Sequence, residues 1–393
     1  MDNYGFPQDF LWGAATAAHQ VEGGNVGNDW WTFEHSSSSG CKESSGDACD
    51  SWNRWQQDVD LIASLGLNTY RFSLEWSRIE PEEDEWSKAA VQHYRRICTA
   101  CLERGITPMV TFHHFTTPRW LADRGGWEAS DAPERFARFC AKAVAGLGDV
   151  IGWACTINEP NIVAMMGYLL AAFPPGISDE PRHKLVSAAL CRAHHLAVEA
   201  LRSGPGDFPI GLSVSMIDYQ AQEGGEECRD QTWYPMEDAF LHAATGDDFL
   251  GVQTYTRLRI GPKGLLGNEP GVPLTDMGYE RWPEALEATI RRAHQVTNGM
   301  RIVITEHGIA TTDDAVRIQY TSAGLQGIKR CLDDGIDVCG YVHWSLLDNF
   351  EWTEGYRPRF GLVEVDRSTF ERKSKPSAAW LGSVARSNGK GIT

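Results

Sequence analysis

The stretch Thr156-Ile157-Asn158-Glu159-Pro160 closes an apolar run that begins at Trp153. A second run behaves in the same way, since Arg301-Ile302-Val303-Ile304-Thr305 leads directly into Glu306. A strand that is apolar along its length and polar only at its C-terminal tip is typical of a parallel sheet covered on both faces. In such folds the chemistry lies at the C-terminal ends of the strands. The two segments therefore predict an α/β fold with Glu159 and Glu306 at one edge of the sheet.

Strand-like and helix-like segments alternate about eight times along the chain. The predicted strands cover residues 10–17, 69–74, 107–112, 153–157, 209–215, 248–254, 301–305 and 338–344. Helical patterns lie between them at 51–65, 88–104, 133–148, 183–202, 282–297 and 315–334, and 376–387 closes the chain. Between 215 and 248 only residues 235–244 look helical, and we expect the tail at 387–393 to fray. Eight βα units without a linker predict a single (β/α)8 TIM barrel over residues 1–393.

The composition argues against several classes of protein. Lys and Arg number 36 against 53 Asp and Glu, a formal net charge of −17. Because no basic stripe is present, nucleic acid and anionic membrane surfaces are poor partners. The apolar stretches are far shorter than the roughly 20 residues that span a bilayer. The first residues lack the pattern of a signal peptide, so we expect a cytoplasmic protein.

The ten cysteines fit a reduced cytosolic protein. Cys98 and Cys101 have CxxC spacing, but they lie inside a helical pattern and have no second pair nearby. Packing thiols are therefore favoured over a zinc or redox site. Cys41 and Cys49 flank a loop rich in Ser and Gly, where the sequence allows an oxidised pair without requiring one.

Polar residues gather where the predicted strands end, as a barrel with its site on that face requires. In strand order they are Gln20 and Glu22, Arg71 and Glu75, His113 and His114, Asn158 and Glu159, Gln253 and Tyr255, Glu306, and finally Trp344, Glu351 and Trp352. Two carboxylates delivered from different strands are the equipment of a glycosidase. Adjacent strand residues point to opposite faces, so we expect one of the two histidines inside the barrel and the other outside, without a metal between them.

Over nearly its whole length the sequence resembles the β-glycosidases of glycoside hydrolase family 1. The motifs that carry the resemblance are Thr-Ile-Asn-Glu-Pro at 156–160, Ile-Thr-Glu-x-Gly at 304–308, and Trp-Ser-Leu-Leu-Asp-Asn-Phe-Glu-Trp at 344–352 followed by Arg-Phe-Gly at 359–361. It extends from Phe-Pro-Gln-Asp-Phe-Leu-Trp-Gly-Ala-Ala-Thr-Ala at 6–17 to Lys-Pro-Ser-Ala at 375–378.

The resemblance implies two catalytic carboxyls. Glu159 would be the general acid/base, with a pKa held up by apolar surroundings and by the neighbouring carboxylate. Glu306 would be the nucleophile, kept ionised by Arg71 and the Tyr255 hydroxyl. In a retaining enzyme of this type the two carboxyl groups stand about 5–5.5 Å apart.

The resemblance also implies a sugar-binding set and neither a cofactor nor a metal. Asn158 would hold the sugar 2-hydroxyl, a contact that strengthens in the transition state. The remaining hydroxyls would be bound by Gln20, His114, Glu351 and the indole N–H of Trp352. Trp344 would form the platform under the ring and Phe360 a wall of the pocket.

The chain departs from the family pattern at three places. His307 follows the nucleophile where the family usually has Asn, and an imidazole there would alter the nucleophile's environment and the pH profile. Gln253-Thr254-Tyr255 stands where the family typically reads Asn-Tyr-Tyr. The segments between 215 and 248 and after 308 are short for the family, which predicts a more open entrance and allows transfer to acceptors other than water.

The motifs favour an unmodified β-O-glycoside as substrate. Glu351 would repel a sugar phosphate, and Glu159 is the acid that thioglucosidases lack. Glucosides are favoured because they are the family's commonest substrates, and galactosides and fucosides stay open because they differ only at C4 and C6. A catalytically silent sugar-binding barrel is the alternative from another class. The sequence assigns neither the aglycone nor the oligomeric state.

Overall fold

The computed structural model describes residues 5–390 and residue 392. Eight of its strands close into a barrel in which every neighbouring pair is parallel. In chain order the strands are β1 (Leu11–Ala15), β2 (Thr69–Ser73), β3 (Thr107–His113), β4 (Trp153–Asn158), β5 (Ile210–Ser215), β6 (Asp218–Ala221), β7 (Phe249–Gln253), β8 (Arg257–Gly261), β9 (Gly264–Leu265), β10 (Ile302–His307), β11 (Val338–Trp344), β12 (Val363–Val365) and β13 (Arg372–Ser374).

The helices follow the barrel strands along the chain. They are α1 (Ala18–Val21), α2 (Asp29–Glu34), α3 (Ser51–Leu65), α4 (Trp76–Ile79), α5 (Lys88–Glu103), α6 (Arg119–Ala122), α7 (Ala132–Leu147), α8 (Pro160–Tyr168), α9 (Glu180–Arg202), α10 (Glu226–Trp233), α11 (Ala239–Ala243), α12 (Ala285–Val296), α13 (Asp314–Asp333) and α14 (Pro376–Arg386). Short 3-10 turns lie at Gly126–Glu128, Gly148–Val150 and Trp352–Glu354.

The strand order around the barrel is β1-β11-β10-β7-β5-β4-β3-β2, so each barrel strand lies beside the previous and the next one in the chain. Their side chains are almost entirely buried, because the strands face packed side chains inside the barrel and the helices outside it. The (β/α)8 barrel predicted from the apolar strands is therefore confirmed. The other strands form two small sheets, β6-β8-β9 and β12-β13.

The helical region after β5 is longer than the sequence predicts. Residues 235–244 were the only helical pattern there, whereas the helix begins at Glu226 and continues to Ala243 through a π-helical turn, Tyr234–Asp238. Pro235 lies in that turn. A proline removes one backbone N–H and crowds the preceding turn, and a π-helical turn is one way in which a helix accommodates such a disruption. Because of this proline, the sequence pattern did not predict a continuous helix.

The expectation of a frayed tail is wrong as far as Asn388. Its side chain donates to the Phe6 carbonyl at 2.7 Å and accepts the indole N–H of Trp12 at 3.0 Å. These bonds tie the end of the chain to the start of β1. Residues 391 and 393 lie outside the described part of the chain.

The structure also describes the state of the cysteines and the apolar character of the helices. All ten cysteines are free, Cys41 and Cys49 included, so the loop between them carries no disulfide. Within the described residues, no helix has both the length and the apolar character that a membrane crossing requires.

His307 is accommodated by a glycine of the facing helix. Its ring lies parallel to that of Tyr320 at 5.1 Å, and its Nδ1 lies 3.1 Å from the Tyr341 hydroxyl. A Cβ added at Gly324 would stand only 2.6 Å from the His307 Cε1 atom. The imidazole of His307 therefore occupies the space that a side chain at position 324 of α13 would need.

We predict that Gly324→Ala lowers the free energy of unfolding by about 1–3 kcal/mol, because the added methyl group overpacks the His307 site. In a His307→Asn background the shorter side chain leaves room, so the same change should be neutral or stabilising by up to about 1 kcal/mol through helix propensity. Urea unfolding of the four proteins of this cycle, followed by tryptophan fluorescence, measures the difference. An equal cost in both backgrounds would contradict the pairing.

Candidate active site

A pocket of about 470 Å³ opens at the C-terminal ends of the barrel strands. Eleven residues have a catalytic or sugar-binding role implied by the family resemblance. Ten of them line this pocket: Gln20, His114, Asn158, Glu159, Tyr255, Glu306, Trp344, Glu351, Trp352 and Phe360. The eleventh, Arg71, is buried behind the pocket wall and contacts two of the others. The fold thus brings together side chains from seven of the barrel strands or the loops that follow them.

Backbone irregularities present the two glutamates. The β4–β5 register runs from Cys155↔Gly211 to Asn158↔Ser213, so β4 contains one extra residue just before Glu159. The β10–β7 register runs from Ile304↔Val252 to Glu306↔Gln253, which leaves an extra residue just before Glu306. A bulge of this kind re-aims the side chains beside it.

Glu159 itself has left-handed backbone angles, φ 44° and ψ 59°. A residue with a Cβ adopts this conformation only when its surroundings enforce it. Here the Glu159 N–H donates to the Ser213 carbonyl at 2.8 Å, and Pro160 starts α8 immediately afterwards. The hydrogen bond to β5 on one side of Glu159 and the proline that begins α8 on the other therefore stabilise this backbone conformation.

Arg71 joins the two glutamate-bearing strands. One guanidinium nitrogen donates to Glu306 Oε1 at 2.5 Å, and the other donates to Asn158 Oδ1 at 2.5 Å. The Arg71 side chain is 1% exposed. A buried guanidinium is stable only when charge and hydrogen bonds compensate it, so this ion pair fixes the position of the Glu306 carboxylate.

The two carboxyl groups have unequal partners. Burial and the charge of Glu306 raise the pKa of Glu159 well above its usual value, against a hydrogen bond from Ser215. Burial also raises the pKa of Glu306, but the charge of Arg71 and the hydrogen bond from Tyr255 oppose it. The Tyr255 hydroxyl lies 2.7 Å from Glu306 Oε2. Because Glu306 has the direct contact with a cation, Glu306 is the carboxyl of the pair that ionises first. Glu159 keeps its proton.

The inner end of the pocket is a connected polar network. Asn158 donates to His114 Nε2 at 3.2 Å and accepts from Gln253 Nε2 at 2.9 Å. Burial holds the pKa of His114 well below its usual value, so this imidazole is neutral. Each side chain in the network is therefore oriented before any ligand enters.

Gln20 and Glu351 form a second polar corner of the pocket. The Gln20 amide donates to the Phe350 carbonyl at 2.8 Å and lies 3.3 Å from Glu351 Oε2, while its own Oε1 has no partner among the described residues. Burial and the charge of Glu306 raise the pKa of Glu351 to about 8, against hydrogen bonds from Gln20 and Trp344. This corner can both accept and donate hydrogen bonds near neutral pH.

Aromatic rings form the walls of this inner end. Trp344 lies nearly parallel to the His114 ring at 5.8 Å, with an interplanar angle of 19°. Trp352 is stacked on His19 at 5.8 Å, and Phe360 meets Tyr255 edge-on at 5.8 Å. Flat faces beside polar groups suit a ring that has apolar faces and a polar rim.

The two histidines that end β3 diverge as the alternation of side chains predicts. His114 lines the pocket, whereas His113 packs edge-on against Trp127 at 5.2 Å. Burial lowers the pKa of His113 to about 3, so it is a neutral core residue. Among the described residues, no group of three or more His, Cys, Asp and Glu side chains is arranged to hold a metal ion.

His307, which stands where the family usually has Asn, does not line the pocket. The imidazole contacts Tyr320 and Tyr341 rather than the Glu306 carboxylate. Burial lowers its pKa to about 3, so it carries no charge near neutral pH. The structure therefore shows no direct contact through which this imidazole would act on the nucleophile, because adjacent residues at the end of β10 project to opposite sides.

The residues of the outer half of the pocket were not predicted from the sequence. This half is lined by apolar side chains from α8, from β8, and from the loops after β5 and before α12, among them Met165, Met166, Met216, Ile217, Leu258 and Met277. These residues form no motif, and their positions depend on loop paths. The spacing of Ile162, Met165 and Met166 along α8 is the one sequence signal from which a shared face could have been predicted.

Comparisons with known proteins agree with this geometry. A family model described as Glycosyl hydrolase family 1 matches residues 3–251 and 252–390. A curated relative, beta-glucosidase A of Acetivibrio thermocellus, is 32% identical over 99% of this chain and 100% of its own length.

Two solved structures share the fold throughout. The beta-glycosidase BGL167 superposes with a TM-score of 0.92 at 45% identity, covering 97% of each chain. A beta-glucosidase from Thermotoga maritima, solved in complex with glucoimidazole, superposes with a TM-score of 0.93 at 30% identity, over 98% of this chain and 100% of that one. With a family match over nearly all of its length, a relative above 30% identity and an eight-stranded parallel barrel, the chain belongs to glycosyl hydrolase family 1.

Proposed function

We propose that this protein is a retaining, exo-acting β-glycosidase that hydrolyses unphosphorylated β-O-glycosides, with β-glucosides as its main substrates. The observation that carries the proposal is the asymmetry of the two carboxyls. Glu306 is held by Arg71 and Tyr255, while Glu159 has no cationic hydrogen-bond partner among the described residues. One ionised and one protonated carboxyl in a single pocket are what double displacement requires.

In the first step the ionised Glu306 attacks the anomeric carbon from the face opposite the leaving group. The bond to the aglycone oxygen breaks, and Glu159 transfers its proton to that oxygen. The sugar is then held as an ester of Glu306. Tyr255 stays protonated because burial and the charge of Glu306 raise its pKa well above the usual value, so it donates to Glu306 and orients it.

In the second step Glu159, now ionised, takes a proton from water, and the water oxygen attacks the anomeric carbon. The ester bond breaks, Glu306 is released, and the sugar leaves with its original β configuration. An alcohol in place of that water would give a new glycoside, so transfer to acceptors belongs to the same proposal.

The inner end of the pocket binds the sugar. Asn158 is oriented by Arg71 and Gln253 toward the 2-hydroxyl, and Gln20, His114 and Glu351 take the others. Trp344 supports the ring, with Trp352 and Phe360 beside it. A sugar phosphate is disfavoured because the described residues that line the pocket include no Lys or Arg to balance its charge.

Glucosides are favoured through the family, and the similarity to the beta-glucosidases of Acetivibrio thermocellus and Thermotoga maritima supports that preference. β-Galactosides and β-fucosides stay within the proposal. We place residues 1–393 in one catalytic domain that acts without a cofactor and is located in the cytoplasm.

A panel of nitrophenyl β-glycosides tests the activity directly. We expect sugar release with the β-anomer formed first, followed in real time by NMR, and fastest turnover with the glucoside. Glu306→Gln removes the nucleophile at nearly equal volume and should lower kcat by roughly 10⁴-fold or more, the scale on which loss of an enzymatic nucleophile is felt. Binding of sugar without release by the wild type would favour a silent sugar-binding barrel instead.

Azide separates the roles of the two glutamates. With nitrophenyl β-glucoside, Glu159→Ala still forms the ester, and azide then displaces Glu306 to give the β-glucosyl azide. Glu306→Ala leaves space on the opposite face, so azide attacks directly and gives the α-glucosyl azide. The anomeric coupling constant of each product assigns it, and the same anomer from both variants would overturn the assignment.

The coupling between the carboxyls gives a pKa prediction. The negative charge of Glu306 raises the pKa of Glu159, so Glu306→Gln should lower it. ¹³C-NMR titration of labelled glutamate side chains measures the shift, with Glu306→Asp as the variant that keeps the charge. An unchanged or higher Glu159 pKa in Glu306→Gln would show that burial alone sets its value.

A further inference from the structure

The outer half of the pocket differs in chemistry from the inner half. Four of the eight methionines of the chain line it: Met165 and Met166 from α8, Met216 directly after β5, and Met277 from the loop before α12. They reach the same space from three separate connections. Methionine is flexible and polarisable, and surfaces rich in it adapt to apolar ligands of different shape.

Further apolar residues complete this wall. Ile217 and Leu258 are half-buried, and Phe173 is 9% exposed. We call these residues, together with Met165, Met166, Met216 and Met277, the outer wall. A bound group that covered it would remove apolar surface from water, which is favourable in proportion to the area covered.

The polar groups of the outer half are largely engaged already. The Thr256 hydroxyl donates to the Glu280 carbonyl at 2.9 Å. Glu354 is paired with Lys42 at 2.6 Å and with Arg357. Ser215 bonds to Glu159, which leaves the hydroxyls of Thr353 and Tyr279 for a ligand.

A second sugar needs more than this. Each hydroxyl of a sugar that leaves water without a partner costs free energy, and two side-chain hydroxyls cannot satisfy a pyranose. Both tryptophans of the pocket, Trp344 and Trp352, belong to the inner end. The outer wall therefore offers neither the hydrogen bonds nor the indole platform that the inner end offers.

We infer that the aglycone of the preferred substrate is apolar, an alkyl or aryl group, rather than a second sugar, and that the outer wall selects it. This rests on the proposed β-glucosidase activity. Bond cleavage is unchanged, since the aglycone leaves as an alcohol or phenol after taking the proton of Glu159. The wall acts by holding that group before and during cleavage.

Methyl, butyl and octyl β-glucosides, with octyl glucoside below its critical micelle concentration, test this against cellobiose. The leaving groups of the three alkyl glucosides are simple alkanols of nearly equal acidity, so differences in kcat/KM within that series report binding. The sugar hydroxyl that leaves from cellobiose is more acidic, so faster cleavage of octyl glucoside cannot be attributed to its leaving group. We expect kcat/KM to rise about two- to fourfold per methylene while the alkyl chain lies on the wall. Octyl glucoside should exceed cellobiose by at least about tenfold.

Met165→Gln keeps the length of the side chain and makes its end polar. It should lower kcat/KM for octyl glucoside about three- to tenfold more than for methyl glucoside. Met277→Gln, from a different loop, should act in the same direction and covers the case in which Met165→Gln fails to fold. Met300→Gln is the matched control, because Met300 is also half-buried but precedes β10 at the opposite end of the barrel.

Binding to Glu306→Gln separates the two proposals. Calorimetry with octyl and methyl β-glucosides measures the preference without cleavage, and octyl glucoside should bind more tightly. A flat alkyl series, or cellobiose as the best substrate, would overturn the apolar aglycone while leaving the β-glucosidase activity intact. If no glucoside is cleaved by the wild type, the proposed function fails, and equal binding of the two glucosides would then overturn this inference as well.

Discussion

The buried guanidinium of Arg71 is the constraint on which the rest of the site depends. It lies on β2, and its partners Glu306 and Asn158 lie on β10 and at the end of β4, which are not neighbours of β2 in the barrel. A charge of this kind is stable inside a protein only when its partners are all present. The strands that shield the guanidinium therefore also deliver the carboxylate and the amide oxygen that it contacts.

Hydrogen bonds with fixed donors and acceptors orient the side chains around Arg71. Arg71 has only donors, so the Asn158 oxygen must face it and the Asn158 amide nitrogen must face His114. The acceptor role this gives His114 Nε2 requires a neutral ring, in agreement with its lowered pKa. Gln253, a departure from the family pattern, donates to the same oxygen. The substitution thus preserves the direction of the amide, since it supplies a donor where one is needed.

Sequence alone located the barrel strands and the inner site, because both are encoded locally. An apolar strand ending in a carboxylate is visible in six residues, and the motifs around Glu159, Glu306 and Glu351 predict the side chains that converge on the pocket. Features that depend on three-dimensional paths were not visible. The bulges before the two glutamates, the orientation of His307 toward Gly324 and the convergence of methionines from three connections all arise from packing between distant segments. The missed first half of the helix after β5 has a local cause, since Pro235 obscures it.

The two halves of the pocket impose different degrees of selectivity. Polar groups fixed by a buried network reject a ligand that leaves them unpaired, and such mismatches discriminate by up to about 10⁴–10⁵-fold. A methionine-rich wall discriminates by the contact area it gains, which amounts to about 1–3 kcal/mol for a methylene more or less. Arg71 fixes the first half, while the side chains of the second can change rotamer without disturbing any charge. The proposed strict recognition of the sugar, with tolerance toward an apolar group beyond it, follows from the position of the Arg71 network in this fold.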